Sequence, residues 1–208
     1  MIELFSANTP NGKKISIMLE EIGYEYKTTK IDLDKGEQFK PEFKKISPLS
    51  KIPVIIDQNK NKTIFESGAI LMYLAEKSGK FYDKKNRLEI NQWLMAQMGY
   101  VGPMLGQHHQ FHHYNPGKSK FGEERYFTIA KKIYKELDER LSVSKFLAGE
   151  DYTIADIATF PWIARHEWHD IGLKNFKHLT KWYEEISKRE AVKSGYDLCK
   201  NGEKIPKI

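Results

Sequence analysis

Residues 52–79 read IPVIIDQNKNKTIFESGAILMYLAEKSG. Ile52 to Asp57 is an apolar, β-branched run, and Gln58 to Lys62 is a polar turn. Thr63 to Glu66 returns as the hairpin partner. From Ser67 the apolar positions Ile70, Tyr73 and Leu74 take up helical spacing until Gly79 stops them. A hairpin running straight into a helix is half of a small mixed sheet covered by helices.

The preceding residues supply the other half. Residues 2–6 read as a short strand, and from Asn11 the positions Ile15, Met18, Leu19 and Ile22 mark one face of a helix that Gly23 ends. Tyr26 to Leu33 alternates as a second strand, and residues 38–46 form a short helix interrupted around Pro41. Residues 1–80 therefore spell β-α-β, a link, then β-β-α: an α/β domain with a mixed four-stranded sheet.

Residues 81–87 are charged and read as a linker to an all-helical domain, 88–200. There Ile90, Trp93, Leu94, Gln97 and Met98 share one face, and Phe127, Ala130, Tyr134, Leu137 and Leu141 another. Phe176, Leu179, Tyr183 and Ile186 mark a later helix. The segment 102–120, with Gly102-Pro103 and Asn115-Pro116-Gly117, reads as an irregular connection. Thr153-x-x-Asp156 is a capping box, which accounts for both residues structurally.

Composition narrows the class. The 208 residues are 40% apolar and 30% charged, as in soluble globular chains. The start, Met1 to Phe5, lacks a basic region before a long apolar stretch, and the longest apolar run, 69–75, falls far short of a membrane span. Cys199 is the sole cysteine, so neither an internal disulfide nor a CxxC pair can form, and the cytoplasm is predicted. The net charge of +6 comes from lysines scattered among acidic residues, with no arginine-rich run to suggest nucleic-acid binding.

Four places could carry chemistry. Thr9-Pro10-Asn11 opens the first helix, either as a plain N-cap or as donors for an anion. The Ile52–Pro53 bond is an ordinary strand start or, if cis, a turn exposing the Ile52 backbone to an extended ligand. Glu66-Ser67 is a serine N-cap or a site for an ammonium beside a carboxylate. His108, His109, His112 and His113 form two i, i+4 pairs, yet Gly106 and Pro116 argue against continuous helix and no HExxH glutamate is present. Polar-loop or ligand-pocket histidines are favoured there, and no metal is expected.

In this order the segments resemble a cytosolic glutathione transferase along essentially the whole chain. TPNGKKISIMLEE (9–21), SKIPVI (50–55), FESGAILMYLAEKSG (65–79), GPMLGQ (102–107) and GEDYTIADIATFPW (149–162) are most similar to the bacterial nu class. That class comprises glutathione-dependent disulfide-bond reductases and is related to a fungal nitrogen-catabolite regulator. The resemblance implies a thioredoxin-like domain followed by a helical one, a homodimer, and glutathione as co-substrate with no metal.

It further implies that Thr9 and Asn11 contact the glutathione sulfur and that Pro53 is cis. Ile52 would pair with the cysteinyl unit, Glu66 and Ser67 would hold the glutamyl end, and Gln38 and Lys51 the peptide and glycine carboxylate. Arg125, in GEERY, and Phe111 would face the second substrate, a disulfide or an electrophilic small molecule. Ser6 ranks below Thr9 and Asn11 as a partner for the thiol. The activity implied is glutathione-dependent disulfide reduction. Alternatives are conjugation to electrophiles, glutathione-dependent isomerisation, and a non-catalytic glutathione-binding regulatory module. No nucleic-acid or membrane partner is expected.

Overall fold

A computed structural model describes all of residues 1–208. By packing, the chain forms two units, Met1–Tyr82 with Lys188–Ile205, and Asp83–Ser187 with Pro206–Ile208.

In the first unit, β1 (Ile2–Ser6), α1 (Pro10–Ile22), β2 (Tyr26–Lys30) and α2 (Pro41–Ile46) precede the hairpin β3 (Val54–Asp57) and β4 (Lys62–Phe65), which leads into α3 (Ser67–Ser78). The sheet order is β2-β1-β3-β4. β1 runs parallel to β2 and antiparallel to β3, with Leu4 opposite both Thr28 and Ile55. Parallel neighbours need a crossover, and α1 provides it. This is the mixed four-stranded sheet expected. β2 stops at Lys30 rather than Leu33, and Leu33 instead packs with Ile46 and Ile52 around Ile31, Phe43 and Val54.

α1 is more deeply buried than its apolar stripe suggests. Lys13, Lys14, Ser16 and Ile17 are buried along with Ile15, Met18, Leu19 and Ile22. A second helix, α10 (Glu190–Tyr196), covers another of its faces. Gly195 permits the approach, since a methyl group there would meet the Ile17 amide nitrogen at 2.5 Å. The Ser16 hydroxyl donates to the Gly195 carbonyl at 2.5 Å. Residues 188–205 thus pack with the first unit, whereas the division read from the sequence puts them in the helical domain.

The second unit contains α4 (Arg87–Ala96), α5 (Gly102–His108), α6 (Lys120–Ser142), α7 (Ile154–Ile163), α8 (His166–His169) and α9 (Lys177–Ser187). The irregular connection expected over 102–120 is mostly helix. π turns over Gln97–Val101 and His109–Tyr114 join α4, α5 and the histidine segment without a break. Pro103 falls in the first turn of α5, directly after a π turn, where its missing N–H interrupts least. The connection proper begins only at Asn115.

α7 is buried along its whole length, as a central helix must be. Its capping box forms as expected: the Asp156 carboxylate accepts from the Thr153 amide at 3.0 Å. The same carboxylate accepts from the Leu147 amide and the Trp182 indole, each at 2.9 Å. No helix is long and apolar enough to cross a membrane.

Candidate functional site

A cleft of about 140 Å³ opens in the first unit where the α1 start, the loop before β3 and the β4–α3 junction meet. Six residues singled out in the sequence line it: Asn11, Lys51, Ile52, Pro53, Glu66 and Ser67. Two do not. Thr9 caps α1, its Oγ1 accepting from the Gly12 amide at 3.1 Å. Gln38 sits on a 3-10 turn, its amide nitrogen donating to the Leu33 carbonyl at 3.4 Å while its Oε1 is buried without a partner.

Each wall has a local cause. Pro10 occupies the first turn of α1, where a missing N–H costs nothing, and no acidic residue in that turn opposes the helix dipole. The Ile52–Pro53 peptide is cis. The β3 ladder begins only at Val54, so the Ile52 peptide groups lie outside it, while the Ile52 side chain packs into the cluster of Ile31, Phe43 and Val54. That combination anchors the residue and leaves its backbone available to an extended ligand. Ser47, which sequence reasoning missed, pins the loop: its hydroxyl donates to the Lys51 carbonyl at 2.7 Å and accepts from the Lys51 amide at 3.0 Å. A hydroxyl four residues before Lys51 was the only local signal for it.

Glu66 departs from the simple cap expected of Glu66-Ser67. Glu66 itself is the N-cap residue, with φ of 71° and no side-chain capping bond, and Ser67 is the first residue of α3. A positive φ at a non-glycine residue costs on the order of 1–3 kcal/mol, and such strain concentrates where ligands are held. Ser67 instead engages Lys14, whose Nζ donates to the Ser67 Oγ at 3.3 Å. Lys14 is 1% exposed. Burial lowers its pKa to about 7, with the Glu66 carboxylate acting in the opposite direction. Its burial has a signal in the sequence, because Lys14, Met18 and Ile22 stand at i, i+4, i+8 on one helix face.

The cleft therefore presents a carboxylate, a hydroxyl backed by an ammonium, an unladdered peptide group, an exposed ammonium on Lys51 and the Asn11 amide. That is a complement for an extended molecule carrying one ammonium and two carboxylates. Ser6 is fully buried, its hydroxyl directed to the Ala7 carbonyl. Cys199 does not line the cleft.

The remaining predicted residues belong to the second unit. Arg125 is exposed on α6, beside Tyr126. Phe111 stacks on Tyr126 with ring centroids 5.3 Å apart and lies against Gly122, where any side chain would strike its ring. The histidines stack rather than converge. His108 and His112 are 4.8 Å apart, and His109 lies 4.7 Å from His169, which sequence reasoning missed. No three His, Cys, Asp or Glu side chains are disposed to hold a metal ion. A wider groove in this unit, near Lys145, Glu150 and Lys181, contains none of the predicted residues.

Comparison with known proteins bears on this arrangement. Residues 1–76 match the glutathione S-transferase N-terminal domain, and residues 104–190 match the C-terminal domain. Disulfide-bond oxidoreductase YfcG of Escherichia coli is 44% identical over 199 residues, which cover 92% of this chain and 93% of the relative. A glutathione transferase from Burkholderia graminis, solved with two glutathione molecules per subunit, is 38% identical with a TM-score of 0.91, covering 97% of this chain and 89% of its own. One from Pseudomonas putida, solved with a glutathione disulfide per subunit, is 40% identical with a TM-score of 0.88, covering 95% and 91%. With a mixed sheet and helical unit in the expected order and both domain matches in sequence, the chain belongs to the glutathione S-transferase family.

Proposed function

We propose that this protein binds glutathione in the cleft of its first unit and uses it to reduce disulfides. The observation that carries the reading is the convergence of Asn11, Ile52 with Pro53, Glu66 and Ser67 on one cleft from three separate stretches of sequence. The glutamyl ammonium meets Glu66 and its carboxylate meets Ser67. The Ile52 backbone pairs with the cysteinyl unit and Lys51 holds the glycyl end, while Gln38, outside the cleft lining, is left without a ligand contact in this reading. The relative named a disulfide-bond oxidoreductase and the neighbour solved with glutathione disulfide support the choice of reaction.

A free thiol has a pKa of about 8.5, so little of it is thiolate at neutral pH. Lowering it by about two units requires roughly 2.7 kcal/mol of preferential anion binding. Thr9 is suited to this. Its oxygen accepts from the Gly12 amide and so keeps its O–H proton to donate to the sulfur. Asn11, in the first turn of α1, adds its amide N–H and the helix dipole acts in the same direction. The thiolate attacks one sulfur of the disulfide, forming a mixed disulfide with glutathione and releasing the other sulfur as a thiolate. A second glutathione thiolate attacks the glutathione sulfur, giving glutathione disulfide and the second reduced thiol. No protein cysteine takes part.

Arg125 and Phe111 of the helical unit are assigned to the second molecule. The reading includes a homodimer at work in the cytoplasm, in keeping with the single cysteine and with family relatives described per subunit. The test is steady-state reduction of hydroxyethyl disulfide by glutathione. Wild-type turnover is expected, with Asn11→Ala lowering kcat/KM by about 10-fold or more. Absence of wild-type turnover, or an unimpaired Asn11→Ala, overturns the assignment. Turnover of aryl halides in place of disulfides selects conjugation instead.

A further inference from the structure

We infer that Lys14 is a positioning residue of the glutathione site: it orients the Ser67 hydroxyl that the ligand's glutamyl carboxylate meets, places a cation behind that hydroxyl, and takes up a proton as the carboxylate binds. The inference rests on the cleft being the glutathione site, and adds a residue to it that does not line the cleft.

The geometry comes first. The Ser67 Oγ accepts from the Lys14 Nζ at 3.3 Å. A hydroxyl that accepts from behind directs its single proton elsewhere, and Ser67 borders the cleft. An ammonium buried to 1% exposure is costly unless something negative is near, and Glu66 supplies part of that charge. A carboxylate arriving at Ser67 supplies more. Such an anion favours the protonated form of a lysine whose burial holds its pKa to about 7.

Several other charges on the elements packed around α1 are paired elsewhere, Glu20 of α1 accepting from the Tyr26 hydroxyl at 2.8 Å. On α1 itself, Lys13 pairs with Glu203 at 2.5 Å and lies over the Tyr196 ring, and Glu21 binds Arg189 beside α10. On α10, Glu190 pairs with Lys193, and the Asp197 carboxylate after it accepts from the Gly202 amide. On α3, Lys77 binds Asp57, and on β1 Glu3 accepts from Thr29. Glu66 is a charged group that acts directly on Lys14.

The experiment is calorimetric titration with S-methylglutathione, which has no thiol to ionise, in buffers of differing ionisation enthalpy between pH 6 and 8. Wild type is expected to take up roughly half a proton per ligand near pH 7 and little at pH 6, where Lys14 is already charged. Lys14→Met should bind about 10-fold more weakly and lose that uptake. Lys14→Arg, charged throughout, should restore affinity without restoring uptake. Wild-type binding with no proton uptake overturns the role of Lys14 alone, as does undiminished uptake in Lys14→Met. Failure of wild type to bind S-methylglutathione at all overturns the glutathione site and this inference with it.

Discussion

In the first unit the buried cations sit against anions, hydroxyls or rings, whereas in the second three buried imidazoles pack largely against one another. Lys13 has Glu203 and the Tyr196 ring, and Lys14 has Ser67 and the field of Glu66. His108, His109 and His169 stack or tilt together with Trp162, Phe127 and Tyr134 nearby. His108 takes the His169 carbonyl, and His169 the Tyr134 hydroxyl, yet one ring nitrogen on each of the three stays buried without a partner. The contrast is one of purpose. A charge buried beside a cleft can be used by a ligand, while neutral imidazoles serve as flat packing units whose burial disfavours a proton.

The largest effect expected from that contrast is acid lability of the helical unit. Burial lowers the pKa of all three histidines, to about 3 for His109; neighbouring imidazoles add repulsion at each, and Arg165 does so at His109 and His169. An unfolded histidine binds its proton near pH 6.5, so below that pH the unfolded chain holds more protons than the folded one. Stability is complete above pH 6.5 and falls as pH drops, by up to about 1.4 kcal/mol per pH unit for His109 down to about pH 3, with His108 and His169 acting in the same direction. Hydrogen exchange at pH 5 against pH 7.5 should show α5 and α8 opening before β1 and β3. The opposite order would show that the buried histidines do not set the acid stability of the helical unit.

Asp156 is a buried acid in the same helical unit that does have its partners. Asp156→Ala leaves the Leu147 and Thr153 amides and the Trp182 indole without their acceptor. A loss of about 3–5 kcal/mol is expected in urea unfolding, against about 1 kcal/mol for a simple cap such as Thr153→Ala. Equal losses in the two variants would mean that the Asp156 network adds nothing beyond the cap.

The smallest effect runs the other way. Lys14→Met should stabilise the first unit by about 1–4 kcal/mol at pH 7, because an apolar side chain of similar length needs no counter-charge. The folded pKa of Lys14 lies below its unfolded value, so wild type gains stability as pH rises from about 7 towards the ordinary lysine range. The advantage of Lys14→Met should therefore shrink by pH 10 in thermal unfolding. A variant less stable than wild type at pH 7 would place Lys14 among the structural contacts.

Much of this was legible before any coordinates. The β3–β4 hairpin, the stripe on α1, the Gly23 and Gly79 stops and the Thr153–Asp156 box are written in alternation, helical spacing and cap chemistry. The family segments pointed to six of the residues that line the cleft. The continuous helix through Gly102-Pro103 was not legible, because breaker residues say where a ladder bond is missing and not whether a π turn accommodates the gap. Nor was the assignment of α10, whose seven residues carry too short a period to show that Gly195 presses on α1.

Local sequence signals fix the order of elements and the residue types, Asn11, Lys51, Glu66 and Ser67 among them, that the cleft can draw on. Those signals are local, reaching three or four residues along a helix or two along a strand. Long-range packing sets Lys14, 53 residues before Ser67, behind that hydroxyl, and stacks His109 on His169. The physical reason is that a lysine or histidine takes its charge state from its surroundings, and the fold supplies those surroundings from distant parts of the chain.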